Sequence, residues 1–268
     1  MAKRIGVAAS GSAEVTQTAV DLLEAGGNAF DAVLGALCTA SIAEPLLASL
    51  GGGGFLLALP DGQKPRVYDF FCQTPQKHRP EDEIDFFPII ANFGTAEQEF
   101  QIGLGSSAVP GVVAGIFEAH GDLGRMPIAE IMSPAAKLAR CGVEVDYFHA
   151  YIARILETIM RATPESFALY ESPSNPGELI TQGELHRNPE AAAAFESLIA
   201  DGPDLFYRGD WARQLADDCA EKGGLITMDD LASYRVERRD PVVFRYRGTR
   251  VAINPPPSPG GCLVAFAL

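Results

Sequence analysis

The sequence is short of cysteine pairs, of clustered histidine, of positive charge and of long hydrophobic runs. Its five cysteines (Cys38, Cys72, Cys141, Cys219, Cys262) are odd in number and widely spaced, with no Cys-x-x-Cys pair. That spacing argues against a disulfide framework or a structural zinc site. Reduced thiols are expected, and with them a cytoplasmic setting. The histidines, His78, His120, His149 and His186, are isolated in sequence, and each reads as a surface or satisfied core residue. Lys+Arg 21 against Asp+Glu 35 gives a net charge of −14. A surface that acidic repels phosphate backbones and anionic lipid heads, so neither nucleic acid nor membrane is expected as a partner. The most apolar stretch, 29–43, carries Asp31 and falls short of the roughly 18 to 20 residues a membrane span needs. Lys3 and Arg4 lead into Ser10-Gly11-Ser12, not into an apolar signal core of about 7 to 15 residues. A periplasmic setting would require a leader removed before this numbering begins.

What is present reads as one α/β unit. The 268 residues are 47% apolar and 21% charged, ordinary globular usage and near the upper size for a single core. Residues 5–8 are predicted as a short strand. Val15, Ala19, Leu22 and Leu23 fall at helical spacing over 13–25, and Gly26-Gly27 supplies the stop. Asn28 is placed to cap a second helix over 29–44, with Asp31 in its first turn and apolar residues nearly all round. After the run Gly51-Gly52-Gly53-Gly54, strands are predicted over 55–59 and 67–71, joined by the turn Pro60-Asp61-Gly62. The stretch 74–99, with its prolines and Glu81-Asp82-Glu83, is predicted as loop. Helices follow Pro110, Pro127 and Asp146, with the two prolines at first helical positions, and recur over 188–200 and 210–221. Thr227-Met228-Asp229-Asp230 is a capping-box pattern for a short helix through Tyr234. Residues 242–246 and 250–253 alternate as a hairpin around Arg247-Gly248-Thr249. Pro255-Pro256-Pro257-Ser258-Pro259-Gly260-Gly261 reads as a rigid extended segment. The apolar run 262–268 after it is either a buried terminal element or, the reading preferred here, a lead into further polypeptide.

Local chemistry alone goes little further. The glycine run lacks the Gly-Lys-Ser/Thr ending of a phosphate loop and precedes a strand, so it reads as a tight turn. Cys72 ends a strand, yet Lys77 is the first basic residue beyond it, and a structural thiol is expected. Asp229-Asp230 reads as helix-start chemistry and Arg238-Arg239 as a solvated edge.

Taken in order, however, several segments resemble a known family. Ala25-Gly26-Gly27-Asn28-Ala29-Phe30-Asp31-Ala32 is similar to a GGNAxDA helix–turn–helix, and Glu44-Pro45 with Leu50-Gly51-Gly52-Gly53-Gly54-Phe55 to an EP…GGGGF segment. Ala108-Val109-Pro110-Gly111 resembles a VPG helix start. Leu205-Phe206-Tyr207-Arg208-Gly209, then Gly223-Gly224-Leu225-Ile226-Thr227 with Asp230-Leu231 and Tyr234, then Tyr246-Arg247-Gly248, then Pro255-Pro256-Pro257-Ser258 with Gly260-Gly261 complete the series. The whole resembles the gamma-glutamyltransferase (gamma-glutamyltranspeptidase) family over about residues 5 to 268.

That resemblance implies an N-terminal-nucleophile hydrolase fold, an αββα sandwich. Residues 1–268 would then be a single incomplete domain, most of the large subunit of a self-cleaving precursor. It further implies a partner, the small catalytic subunit, whose new N-terminal threonine attacks a small-molecule amide such as a gamma-glutamyl compound. The threonine's own amine serves as base, and an oxyanion hole stabilises the intermediate. No cofactor is implied, and no catalytic residue is expected in this chain. A D-x-R-E-x-A-P pattern of the family, aligned on Asp69 and Pro75, puts Phe71 at the arginine that pairs with the glutamyl carboxylate. Cys72 falls at the glutamate, Gln73 follows, and Thr74 is at the alanine. Phe71, Cys72 and Gln73 are therefore the candidate substrate-binding residues. A guanidinium–carboxylate pair is a strong contact that phenylalanine cannot make. Three readings follow: an acyl amide without that carboxylate, another cation such as Lys77 or Arg79, or a non-catalytic scaffold or binding protein derived from the family.

Overall fold

The computed structural model describes residues 6–268. Chain order is α1 (Ala13–Glu24), α2 (Ala29–Ala43), β1 (Gly54–Ala58), β2 (Arg66–Phe70), β3 (Phe87–Asn92), β4 (Glu97–Ile102), α3 (Val112–Leu123), α4 (Ile128–Cys141) and β5 (Val143–Glu144). Then come α5 (Tyr147–Ile155), α6 (Glu157–Met160), α7 (Pro164–Tyr170), β6 (Leu185–His186), α8 (Pro189–Asp201), α9 (Asp204–Tyr207), α10 (Asp210–Glu221) and α11 (Met228–Ser233). β7 (Glu237–Arg239), the hairpin β8 (Val242–Tyr246) and β9 (Thr249–Ile253), and α12 (Pro259–Ala267) finish the chain.

Local signals explain most helix starts. Ser12, Asn28, Asp146, Asn188 and Thr227 each accept a backbone N–H from the first turn of the helix they precede. At α2 the cap is reciprocal, because Asp31 accepts the Asn28 N–H in return (2.8 Å). Asp31 is fully buried, and its other oxygen accepts the N–H groups of Arg125 (2.9 Å) and Met126 (3.3 Å). The Asn28 amide meanwhile donates to the Leu123 carbonyl (2.7 Å). The GGNAxDA segment thus ties the start of α2 to the turn between α3 and α4. Gly26, at φ +102°, ends α1 in a region costly for any other residue.

β1, β2 and β7 form an antiparallel sheet with β2 in the centre. Its even-numbered residues face the helices. Tyr68 and Phe70 are buried, and the Tyr68 hydroxyl donates to Asp122 of α3 (2.8 Å). The main core joins this face to α2, α3, α4 and α8 through Leu34, Ile116, Ile131, Met132, Phe195 and Leu198. Phe55, Leu57 and Phe71, on the opposite face, remain partly or largely exposed. A smaller core around Ala153, Met160 and Leu179 holds the lobe of α5–α7.

Several expectations are corrected. Of the strand predicted over 5–8, Ile5 lies outside the described residues, and 6–8 carry no strand pairing among the described residues. The predicted loop 74–99 contains a hairpin. β3 pairs with β4 in register from Phe87↔Ile102 to Asn92↔Glu97, and Pro88 in the first strand masks the signal. Neither proline sits at a first helical position: Gly111 precedes α3, and Pro127 itself occupies the cap of α4. The helix expected through Tyr234 ends at Ser233, where Tyr234 turns to an extended conformation. The extended segment predicted over 255–261 gives way to helix at Pro259; Leu263, Val264, Phe266 and Leu268 are exposed, which goes against only the less favoured of the two alternatives for 262–268, the buried terminal element.

Candidate active site

The three residues singled out from the sequence follow directly on β2, and they point different ways. Phe71 is 51% exposed. Its ring stacks on Phe55 with centroids 5.5 Å apart and an interplanar angle of 19°, which puts both rings on the open face of the sheet. Asp69, directly opposite Phe55 in register, shares that face and is buried to 5% exposure. One of its oxygens accepts the Phe71 N–H (3.1 Å) and the other accepts Nε–H of Arg239 (2.6 Å). Arg238-Arg239 is therefore not a solvated edge. Arg239 compensates a buried carboxylate 170 positions away in sequence, and Arg238 pairs with Glu118 and Asp122 of α3, both at 3.0 Å. β7 carries the two arginines to opposite faces of the sheet because neighbouring strand residues alternate.

Cys72 turns inward beneath the glycine run. A Cβ on Gly53 would lie 2.5 Å from the Cys72 nitrogen and 2.9 Å from its sulfur, so only glycine fits there. Burial raises the Cys72 thiol, with the Gly111 backbone opposing, and a thiol held protonated is a poor nucleophile. Gln73 makes a two-way backbone bridge with Val109 (3.0 and 2.8 Å), and its side-chain amide donates to the Arg235 carbonyl (3.0 Å). The tight-turn reading of the glycine run fits these contacts. The Gly52 carbonyl accepts the N–H groups of Gly111 (2.9 Å) and Val112 (3.1 Å), so the start of α3 is occupied by protein.

Two tyrosines escaped the sequence-based choice of site residues. The Tyr234 hydroxyl donates to the Phe71 carbonyl (2.9 Å). The Tyr207 hydroxyl donates to the Pro110 carbonyl (2.9 Å) and accepts the Ala114 N–H (3.1 Å). Their rings stack at 5.5 Å. Burial pushes both phenols well above their usual range, so they stay protonated as donors. A Cβ on Gly111 would meet the Phe70 oxygen at 2.0 Å and the Tyr234 hydroxyl at 2.1 Å. The pair thus clamps the Phe71 backbone to the turn before α3. Both residues lay within quoted motifs, but nothing local marked them as partners of Phe71.

The arginine expected as a substitute goes elsewhere. The Gln76 N–H donates to Asp230 at the start of α11 (3.0 Å), carrying the chain away from Phe71. Arg79 donates to the Ala220 carbonyl (2.7 Å). Asp230 itself closes the capping box with Thr227, the helix-start role read from the sequence. Among the described residues no group of three or more His, Cys, Asp or Glu side chains could hold a metal ion, and no helix is long and apolar enough to cross a membrane.

A helical layer on one face of a small antiparallel sheet, with the glycine turn at its edge, is the large-subunit part of an N-terminal-nucleophile hydrolase. A solved gamma-glutamyltranspeptidase from Helicobacter pylori superimposes with a TM-score of 0.84 at 26% identity, covering 97% of this chain and 73% of that one. The family model for gamma-glutamyltranspeptidase matches residues 15–268, and the chain belongs to that family. It is 33% identical over 262 residues to a glutathione hydrolase proenzyme of Escherichia coli K12, covering 96% of this chain and 43% of that protein. It is 34% identical over 250 residues to an acylase ACY 1 proenzyme of Pseudomonas sp. SE83, covering 90% and 43%. The chain therefore spans less than half the length of these two relatives.

Proposed function

We propose that this chain is the scaffold part of an amidohydrolase or acyltransferase of the gamma-glutamyltranspeptidase family. Its nucleophile is an N-terminal threonine on polypeptide beyond these residues. Family membership supports the reaction class, and the relatives' description as proenzymes suits a product made by self-cleavage. The observation that carries the reading is the open face of the β1–β2–β7 sheet. Leu57 and Phe71 on that face are exposed and Phe55 is half-buried, beside the clamped turn and with Val67 already buried among them, and a second sheet and its nucleophile would pack there. In this reading the chain contributes a wall of the acyl pocket. Phe71 stands where the family arginine would hold a glutamyl carboxylate, so the pocket differs from that of a gamma-glutamyl enzyme. The free thiols suit the cytoplasmic setting expected from the sequence.

The test is intact-mass analysis of the natural full-length gene product, with N-terminal sequencing of each fragment. Two tightly associated chains are expected, the smaller beginning with Thr. A single uncleaved chain would replace the catalytic reading with that of a scaffold or binding protein.

A further inference from the structure

We propose that Arg239 sets the acyl specificity of the pocket: its two Nη groups take a carboxylate carried by the acyl group, with the guanidinium anchored on Asp69. The inference rests on the acyl-transfer reading above and adds the residue that reads the substrate. Its first support is the way Arg239 is held. One oxygen of Asp69 accepts the Phe71 N–H (3.1 Å), and the other accepts Nε–H of Arg239 (2.6 Å). A single carboxylate therefore fixes both the Phe71 backbone and a guanidinium that arrives from β7, opposite Val67 in register. A guanidinium carries five N–H donors in a rigid plane, and only Nε–H is engaged. Among the described residues no acceptor bonds Nη1 or Nη2. The edge formed by those two nitrogens matches the two oxygens of a carboxylate.

The second support is what covering the sheet does to this arginine. Val67 and Asp69 are already buried on the same face, and a second sheet packed there takes water from the guanidinium too. Four N–H donors of a charged group would then lack acceptors, a costly state unless an anion meets them. Asp69 is engaged through both oxygens. Glu237 lies on that face two residues along β7, but it is exposed and bonds neither Nη group.

Other arginines near the turn are committed. Arg235 donates to the Ala232 and Tyr234 carbonyls, and Arg79 to the Ala220 carbonyl. Arg238 serves Glu118 and Asp122 on the helical face of the sheet. The Phe71 ring has no donor of its own, so a carboxylate brought beside it meets its cation from the neighbouring strand.

The experiment uses the mature full-length enzyme with p-nitroanilides of gamma-glutamic, glutaric and butyric acid, with kcat and KM read from released p-nitroaniline. The first two acyl groups carry a carboxylate at the same distance from the scissile amide, and the butyryl group lacks it. The wild type is expected to favour glutaryl over butyryl at least tenfold in kcat/KM. Arg239→Gln should cut that ratio at least tenfold, mainly by raising KM for the glutaryl substrate. Arg239→Lys, which keeps the charge without the paired donors, should fall between. The double variant Asp69→Asn/Arg239→Gln leaves no carboxylate stranded and so guards against a folding defect; it should show the same lost ratio. A wild type that cleaves the butyryl anilide as well as the glutaryl one overturns the inference. So does an Arg239→Gln variant weakened on all three substrates alike, the result expected if Glu237 or an acidic residue of the second sheet takes the Nη groups instead. A cleaved, two-chain protein inert on all three also overturns it and leaves the self-cleaving reading standing. An uncleaved, inert precursor instead removes the acyl-transfer reading and this inference with it.

Discussion

Around Phe71 most of the fixing is done by groups that touch its backbone or its neighbour Asp69, not its ring. Tyr234→Phe deletes the hydroxyl bonded to the Phe71 carbonyl and should cost about 1–3 kcal/mol, the usual penalty for orphaning a buried acceptor. A lowered urea midpoint with unchanged slope would register it. Gly111→Ala should cost at least as much, because its Cβ would collide with the Phe70 oxygen and the Tyr234 hydroxyl, neither of which can easily retreat. Arg239→Leu strands the Asp69 carboxylate. Since the arginine side chain is 39% exposed, the loss should be about 2 kcal/mol, below that of a fully buried pair. Adding Asp69→Asn should recover part of it, giving a double-mutant cycle with measurable coupling in chemical denaturation.

At the scale of elements, helix starts with a side-chain cap and the β1–β2 and β8–β9 hairpins were legible, while the β3–β4 hairpin and the joining of β7 to β2 were not. Asn28 with Asp31, and Thr227 with Asp230, satisfy orphan amides within one turn, so the three-residue spacing carries the information by itself. Asp31 also shows the limit of that reading, since its bonds to Arg125 and Met126 span more than ninety positions. Asp31→Ala would free three N–H groups, two of them in the α3–α4 turn. It should cost about 3 kcal/mol in thermal or denaturant unfolding, against about 1 kcal/mol for the cap alone.

His186, in the short strand pair β5–β6, supplies a pH effect. Burial lowers its pKa, opposed by the bond to the Leu169 carbonyl. Its ring lies flat against Tyr170 and lines a small cavity with His149 and Glu144. A histidine with a depressed folded-state pKa stabilises fully above its unfolded value, near 6.5, and loses that contribution as pH falls through the folded value. The wild type should lose stability between pH 7.5 and 5.5, and His186→Gln should lose less. Denaturant midpoints for both proteins at the two pH values decide it.

For the whole molecule, the distribution of apolar surface is the telling property. The even-numbered face of the sheet is sealed by helices, while Leu57 and Phe71 on the other face and Leu263, Val264, Phe266 and Leu268 on α12 are exposed. Patches of this kind in a soluble domain mark surfaces that bind something. The 268-residue chain expressed alone should therefore self-associate in a concentration-dependent way and bind a hydrophobic dye. The natural full-length product should do neither at equal concentration, and light scattering with dye titration compares them.

The sequence by itself determined the α/β character, the side-chain-capped helix starts, the acidic surface and the family resemblance, because each depends on composition, on residues within a turn of one another, or on motifs in order. It also singled out Phe71 as a candidate substrate-binding residue. Only the tertiary structure decided what surrounds Phe71. The ring beneath it comes from β1, the clamp on its carbonyl from Tyr234, and the cation beside Asp69 from β7, whereas Arg79, near in sequence, bonds to the Ala220 carbonyl instead. The β3–β4 hairpin was hidden for a related reason: Pro88 weakens its first strand, and only pairing with 97–102 makes it one. Caps and periodicity are local and can be read from neighbouring letters. Charge compensation, sheet pairing and aromatic stacking join residues far apart in sequence, and these decide what the site can hold.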